Sequence, residues 1–211
     1  MANPAPLVSG IHYHIYNRGN NRETLFRSEE NYRYFLKLYA VYVEPVAITY
    51  AYCLLPNHFH LHLRVRTLQE QIEWFEKFGT EDTILDRLPL SPGRQLGNLF
   101  NAYAKAVNKA FDRSGSLFQK PFQRIPVTEQ SYLVRLICYI HRNPQRHGTI
   151  DDFTRWPYSS YRSLLSSLPT RLERESVVGW FGGQEGFRRA HQHDWSSEGE
   201  RLFYEAGAGD A

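Results

Sequence analysis

The chain is poor in cysteine: its 211 residues include only Cys53 and Cys138, with no Cys-x-x-Cys pair. That scarcity excludes a disulfide framework and a cysteine-rich zinc module, and it points to a reducing, cytoplasmic setting. Long apolar runs are also lacking. The longest, from Ala40 to Leu55, is broken by Glu44 and Pro45, so no transmembrane helix and no membrane partner is expected. The opening Met-Ala-Asn-Pro-Ala-Pro has no basic stretch of the kind that starts a secretory signal. Internal repeats and low-complexity tracts are absent, which argues against a solenoid or a disordered chain. Charge of one sign is scarce overall, since the formal net charge is only +3.

What is present is a core-forming composition, 42% hydrophobic and 15% aromatic, in a length that suits one ordinary domain with or without a tail. The charge is unevenly placed. Between Arg87 and Arg146 ten bases stand against Asp112 and Glu129, a local excess of eight. From Thr170 onward five arginines face eight acids. A basic middle of this size favours a polyanion such as nucleic acid, although a solvated basic helix face explains it too.

Hydrophobic periodicity orders the chain. Ile11–Arg18 alternates as a strand, and turn chemistry follows at Asn17, Gly19, Asn20 and Asn21. Ser28 caps a helix carrying Tyr32, Phe35, Leu36, Tyr39 and Val43 at helical spacing, and Pro45 stops it. Ala47–Leu55 and His58–Arg66 are strands joined by a tight Pro56-Asn57 turn. A short helix and a loop are expected over 69–93, then a helix over Gln95–Asp112 with Lys105 and Lys109 on its outer face. Ser116–Val127 is a strand bent at Pro121, and Thr128 caps a helix to about Arg142 that Pro144 halts. The order predicts an α+β fold: a ferredoxin-like, RRM-like antiparallel sheet with helices on one face. The domain is expected to span 1–168. Residues 169–211 would form a partly helical C-terminal extension anchored by Val177, Val178, Trp180, Phe181 and Phe187.

Two motifs carry chemistry. On the strand His58–Arg66, Phe59, Leu61, Leu63 and Val65 form one face and His58, His60, His62, Arg64 and Arg66 the other. Residues two apart on a strand lie about 6.5–7 Å apart, close enough for two imidazoles to converge on one ion. A solvated polar face remains open on this pattern alone. On the late helix, Tyr139 and Asn143 are four residues apart and share a face, which suits either packing and capping or a presented phenol and amide. Asn57 and His147 are secondary candidates that turn and loop roles explain as well. Two competing readings are a non-catalytic single-stranded nucleic-acid binder, which leaves the histidines unexplained, and a zinc hydrolase, which lacks a third acidic ligand.

In combination these motifs resemble the single-tyrosine HUH transposases, and specifically the REP-associated tyrosine transposases. The resemblance runs over roughly residues 10–165. It includes Asn17-Arg18-Gly19-Asn20, Leu55-Pro56-Asn57-His58-Phe59-His60, Gly115-Ser116-Leu117-Phe118-Gln119, Tyr139-Ile140-His141-Arg142-Asn143-Pro144 and Trp156-Pro157-Tyr158-Ser159-Ser160-Tyr161. It implies cleavage and rejoining of single-stranded DNA at hairpin elements through a 5′-phosphotyrosine. Tyr139 would be the nucleophile, and His58, His60 and Asn143 would hold Mg²⁺ or Mn²⁺, Asn143 standing where insertion-sequence relatives carry Gln. DNA contacts are expected at Arg18, Arg64, Arg66, Lys105, Lys109, Lys120, Arg124 and Arg142, in a monomer or a homodimer.

Overall fold

A computed structural model describes residues 5–79 and 88–193; part of the expected 69–93 segment and the extension beyond His193 lie outside the described residues. The β-branched and aromatic runs form four strands: β1 (His12–Arg18), β2 (Ala47–Leu55), β3 (His58–Val65) and β4 (Gln123–Val127). They make one antiparallel sheet in the order β2-β3-β1-β4, the ferredoxin-like arrangement the element order predicts. Pro56-Asn57 closes the β2–β3 hairpin as expected. β4 is shorter than the expected Ser116–Val127 strand. Pro121 offers no N–H to a ladder, and upstream of it only an isolated bridge from Phe118 to Gly19 survives.

Seven helices accompany the sheet among the described residues: α1 (Glu29–Tyr42), α2 (Leu68–Phe78), α3 (Pro92–Ala110), α4 (Gln130–Arg146), α5 (Tyr161–Leu165), α6 (Arg174–Trp180) and α7 (Gln184–Gln192). None is long and apolar enough to cross a membrane. α1 starts after Ser28, with Glu29 and Glu30 in its first turn where the helix dipole favours acids. α2 starts at Thr67 in a capping box with Glu70.

Helices cover both faces of the sheet, where one was expected. On one face α1 and α3 bury Phe35, Leu96, Leu99 and Tyr103 against Phe59, Leu61, Leu63 and Val65. On the other, Leu133, Leu136, Ile137 and Ile140 of α4 pack with Ala51, Cys53 and Leu55 of β2, joined by Val177 of α6 and Phe187 of α7. Burial of one such side chain stabilises by about 1.5–3 kcal/mol. The second cover escaped the sequence because the β3 residues beneath it are histidines, which pack as flat apolar rings once neutral.

α4 also runs one turn further than Pro144 suggests. Proline removes a single N–H, and here the turn is held by other groups: His147 N–H donates to the Asn143 carbonyl (3.0 Å) and Thr149 N–H to that of Pro144 (2.8 Å). Asn143 and Pro144 are buried, so packing offsets the lost ladder bond. Glu129, not Thr128, occupies the cap position.

Candidate active site

The alternation of β3 points His58, His60 and His62 toward α4, and the paired strand β1 adds His14 and Tyr16 on that side. The His58 and His60 rings meet edge-on with centroids 5.2 Å apart. His60 lies 5.1 Å from the ring of His14 and 5.4 Å from that of Tyr139. Tyr139 and Asn143, one turn apart on α4, therefore face the histidine row. The last turn of α4 closes the site's other side. His147 packs edge-on against His58 at 4.7 Å, and the Arg146 guanidinium lies 5.3 Å from the centre of the Tyr139 ring.

Hydrogen bonds orient the imidazoles. The Asn57 side-chain carbonyl accepts from His58 Nδ1–H at 2.7 Å, which leaves Nε2 as the nitrogen with the lone pair. Nδ1 of His60 shares a 2.9 Å bond with Nε2 of His14, and with the proton on His60 its Nε2 likewise carries a lone pair. Such second partners fix ring orientation in metal sites. Burial holds His14 and His60 neutral. His14 is pushed down to about 3, and His60 falls well below the usual histidine range, through burial first and then the neighbouring His14. Burial, with the nearby Tyr139 second, raises the Tyr16 phenol to about 12.

Buried polar atoms at this end without a hydrogen-bond partner include His60 Nε2, Asn143 Oδ1 and the Tyr16 hydroxyl. The Asn143 amide nitrogen donates to the Tyr139 carbonyl at 3.0 Å, which turns the oxygen the other way. Among the described residues no group of three or more His, Cys, Asp or Glu could hold a metal. The set in question is of a different kind, the two imidazoles of His58 and His60 and the amide oxygen of Asn143. Two of its members are orphaned and the third has its lone pair fixed by Asn57. That donor chemistry fits a divalent ion.

The expected DNA contacts divide into two groups. Lys105, Lys120 and Arg124 line one groove of about 540 Å³ between α3 and residues 115–124, together with Asn101 and Asn108. Lys109 is exposed on α3, and Arg18 pairs in register with His58 at the site's edge. The structure engages the other three internally. Arg64 is held by Glu70 (2.5 Å), Arg66 donates to the Glu44 carbonyl (2.9 Å), and Arg142 donates to the His191 and His193 carbonyls at the end of α7. His62 is fully buried and bonded to His12 at 3.1 Å, so it belongs to the packing rather than to a surface. Sequence reasoning passed over His14 and Arg146. The His12-x-His14 alternation on a strand adjoining β3 was a usable signal; the place of Arg146 depended on the helix continuing past Pro144.

No family model matches the chain. A 113-residue segment, 54% of this chain and 58% of the relative's length, is 27% identical to a Haemophilus influenzae protein bearing the name REP-associated tyrosine transposase. A solved structure titled as a REP-associated tyrosine transposase bound to a REP hairpin superposes with a TM-score of 0.54 at 15% identity, over 80% of this chain and 88% of that one. The resemblance read from the motifs thus recurs in a sequence relative and in a structure of the same fold.

Proposed function

We propose that this chain is a metal-dependent transposase-type nuclease that cleaves and rejoins single-stranded DNA at hairpin elements. The observation that carries the reading is that His60 Nε2 on β3 and Asn143 Oδ1 on α4 are both buried and unpartnered, with the Tyr139 ring, one helical turn before Asn143, packed 5.4 Å from that of His60. An unsatisfied buried polar atom costs about 1–3 kcal/mol, so a cluster of them at one end of a packed face is explained by a ligand. The sequence relative and the hairpin-bound neighbour support the class of substrate.

The chain's own residues divide the work. β3 and β1 pack the rings of His60 and His14 against that of Tyr139, so little orientation remains to be won on binding. The phenol oxygen attacks the phosphorus, the bond to the 3′ oxygen breaks, the phenol proton leaves to solvent and the departing oxygen takes up a proton. The products are a 5′-phosphotyrosine and a free 3′-hydroxyl, and because the ester is conserved the strand can be rejoined without ATP. When bound at His58, His60 and Asn143, Mg²⁺ or Mn²⁺ would offset the negative charge on the phosphate, and the two imidazoles favour Mn²⁺. Lys105, Lys120 and Arg124 would bind the DNA backbone in their groove.

A short DNA hairpin with a single-stranded flank, incubated with the chain and Mg²⁺ or Mn²⁺, should give a covalent protein–DNA adduct on a denaturing gel. Tyr139→Phe should lose the adduct and keep hairpin binding, and so should His58→Ala combined with His60→Ala. Persistent binding with no adduct from the unmodified chain in either metal would refute the nucleophile assignment and favour a non-catalytic binder.

A further inference from the structure

The outer face of α3 carries a pattern that the cleavage chemistry does not use. Leu96, Leu99, Phe100, Tyr103 and Val107 bury one side of this helix. Opposite them, at steps of three and four residues, stand Arg94, Asn98, Asn101, Lys105 and Lys109. Asn98 is half-buried and the other four are exposed. From Pro92 to Ala110 there is no Asp or Glu, whereas a merely solvated helix mixes both signs, as α1 and α2 do. The stripe has no aromatic ring either, so it is no stacking platform for unpaired bases. It presents carboxamides between cations. Gly97 adds an independent observation. It sits inside α3, one turn before Asn101, and a Cβ there would meet nothing within 4 Å among the described residues. Packing gives no reason for glycine at this place, and glycine disfavours a helix interior relative to alanine. A bare backbone is of use where something outside the chain comes close. Gly97 lines the same groove as Lys105, Lys120 and Arg124, so that approach is from the side of those cations.

We infer that α3 is a reading helix: it lies in the major groove of the hairpin's duplex stem, where Asn98 and Asn101 recognise adenine edges and Arg94 and Lys105 hold phosphates on either side. The inference rests on the transposase reading for its substrate, a hairpin, and adds sequence readout to it. An α-helix about 10–12 Å across fits a major groove about 12 Å wide. Arg94 and Lys105 are eleven residues apart, about 16 Å along the axis, which lets them straddle that groove with the two amides between them. An Asn side chain donates and accepts in the pattern that matches N7 and the N6 amino group of adenine, so the amides select A·T pairs. The cations bind any sequence. The Asn98 amide donates to the Gln95 side-chain carbonyl at 3.4 Å, which steadies it at the start of the stripe.

The test uses the full chain and a pool of flanked hairpins with one loop and one flank and every stem base pair randomised. The unmodified chain should enrich A·T at one or two stem positions. Asn98→Ala and Asn101→Ala should each lose the preference at one of them, with affinity for the selected stem falling about tenfold. Replacing the selected adenine by 7-deazaadenine, which lacks N7, should cost the unmodified chain about as much and the matching Asn variant nothing further. Gly97→Ala separates contact from folding. It should raise the melting temperature by about 2–4 °C, as expected for one interior helix glycine in a chain of this size, and yet weaken stem binding. A glycine with a purely internal role would not give that opposed pair of effects. If hairpins bind without stem preference, or the preference survives in both Asn variants, the reading helix is wrong and the Tyr139-dependent adduct still decides the transposase reading. If the unmodified chain binds no hairpin, both fall.

Discussion

Acid should destabilise this protein through a buried histidine pair that joins α4 to α7, and His191 makes the effect measurable. His191 on α7 donates Nδ1–H to the Phe187 carbonyl at 2.8 Å and so presents a bare Nε2 to His141 Nδ1–H, 2.8 Å away on α4. His141 Nε2 in turn accepts from the Ser160 hydroxyl at 2.7 Å. The Ser160 hydroxyl also lies 3.2 Å from the Tyr52 carbonyl, and burial holds both imidazoles neutral, His141 well below the usual histidine range. Arg142 lies alongside, and Phe187, Tyr161, Phe153 and Phe181 enclose the ring of His191. Burial first, with Arg142 in support and against the Phe187 carbonyl, holds His191 at about 4 rather than 6.5. Between these values the unfolded chain carries a proton there that the folded one does not, so the native state loses stability as pH falls. The interval of about 2.5 units at 1.36 kcal/mol each gives roughly 3 kcal/mol, all of it present above pH 6.5 and lost progressively down to pH 4. Urea denaturation of the unmodified chain and of His191→Gln, whose amide can donate and accept but does not titrate, measures the difference. His191→Gln should be the less stable at pH 7.5, with the gap closing by about 1 kcal/mol per unit below pH 6.5. A gap that stays constant from pH 7.5 to 4.5 would refute the neutral-pair argument.

Two further outcomes follow from positions around the site. At Gly19 a Cβ would stand 2.0 Å from the Glu23 carbonyl oxygen, and the Gly19 N–H donates to the Asn57 carbonyl at 2.8 Å, next to the residue that orients His58. Gly19→Ala should therefore lower the melting temperature by several degrees and weaken the site together, since backbone rather than a flexible side chain must move; an unchanged melting curve would contradict it. In the α3 groove, Lys105→Gln and Lys120→Gln should each reduce the slope of log affinity against log salt by about 0.7–0.9 for the flanked hairpin, as measured by fluorescence anisotropy. A slope untouched in both variants would put the DNA elsewhere.

The sequence was legible where one local signal dominated. β2 matches its expected span Ala47–Leu55, because an unbroken β-branched and aromatic run ends at the Pro56-Asn57 turn, and α1 begins after Ser28 because cap and acidic first turn agree. His58 and His60 share one face of β3, as the alternation suggested, and the Tyr139 ring packs 5.4 Å from that of His60. The misreadings share a physical origin in tertiary burial. Pro144 is a helix breaker in isolation, yet buried inside α4 it is carried along by the packing of its neighbours. A solvated surface stayed open for the histidine face because imidazole counts as polar in a pattern, whereas His14 and His62 are fully buried among rings. The link from His141 to His191 spans fifty residues and leaves no local trace. It shows that α6 and α7 belong to the second core rather than trailing from it, as the apolar anchors Val177 and Phe187 had hinted.

The molecule holds two buried histidine networks on the same side of its sheet, and the contrast between them bears most directly on function. Around His141, His191 and Ser160 every side-chain nitrogen and hydroxyl is matched, with three bonds of 2.7–2.8 Å and a carbonyl at the end of the chain. Around His60 the row stays open: His60 Nε2, Asn143 Oδ1, Tyr16 Oη and His62 Nδ1 have no partner. A fold able to close one network completely is under no geometric necessity to leave the other unfinished. Replacing the open row with aliphatic residues would remove up to about 1–3 kcal/mol of penalty per atom, so retaining it lowers stability. The closed network rigidifies α4 from behind, and the open one presents matched lone pairs from β3 and α4 in front. Strain and unsatisfied polarity of this kind collect where a ligand completes the set. In the function proposed above, this division of labour within α4, one face tied down and the other held ready, is what Tyr139 would require as a nucleophile that both attacks and is released.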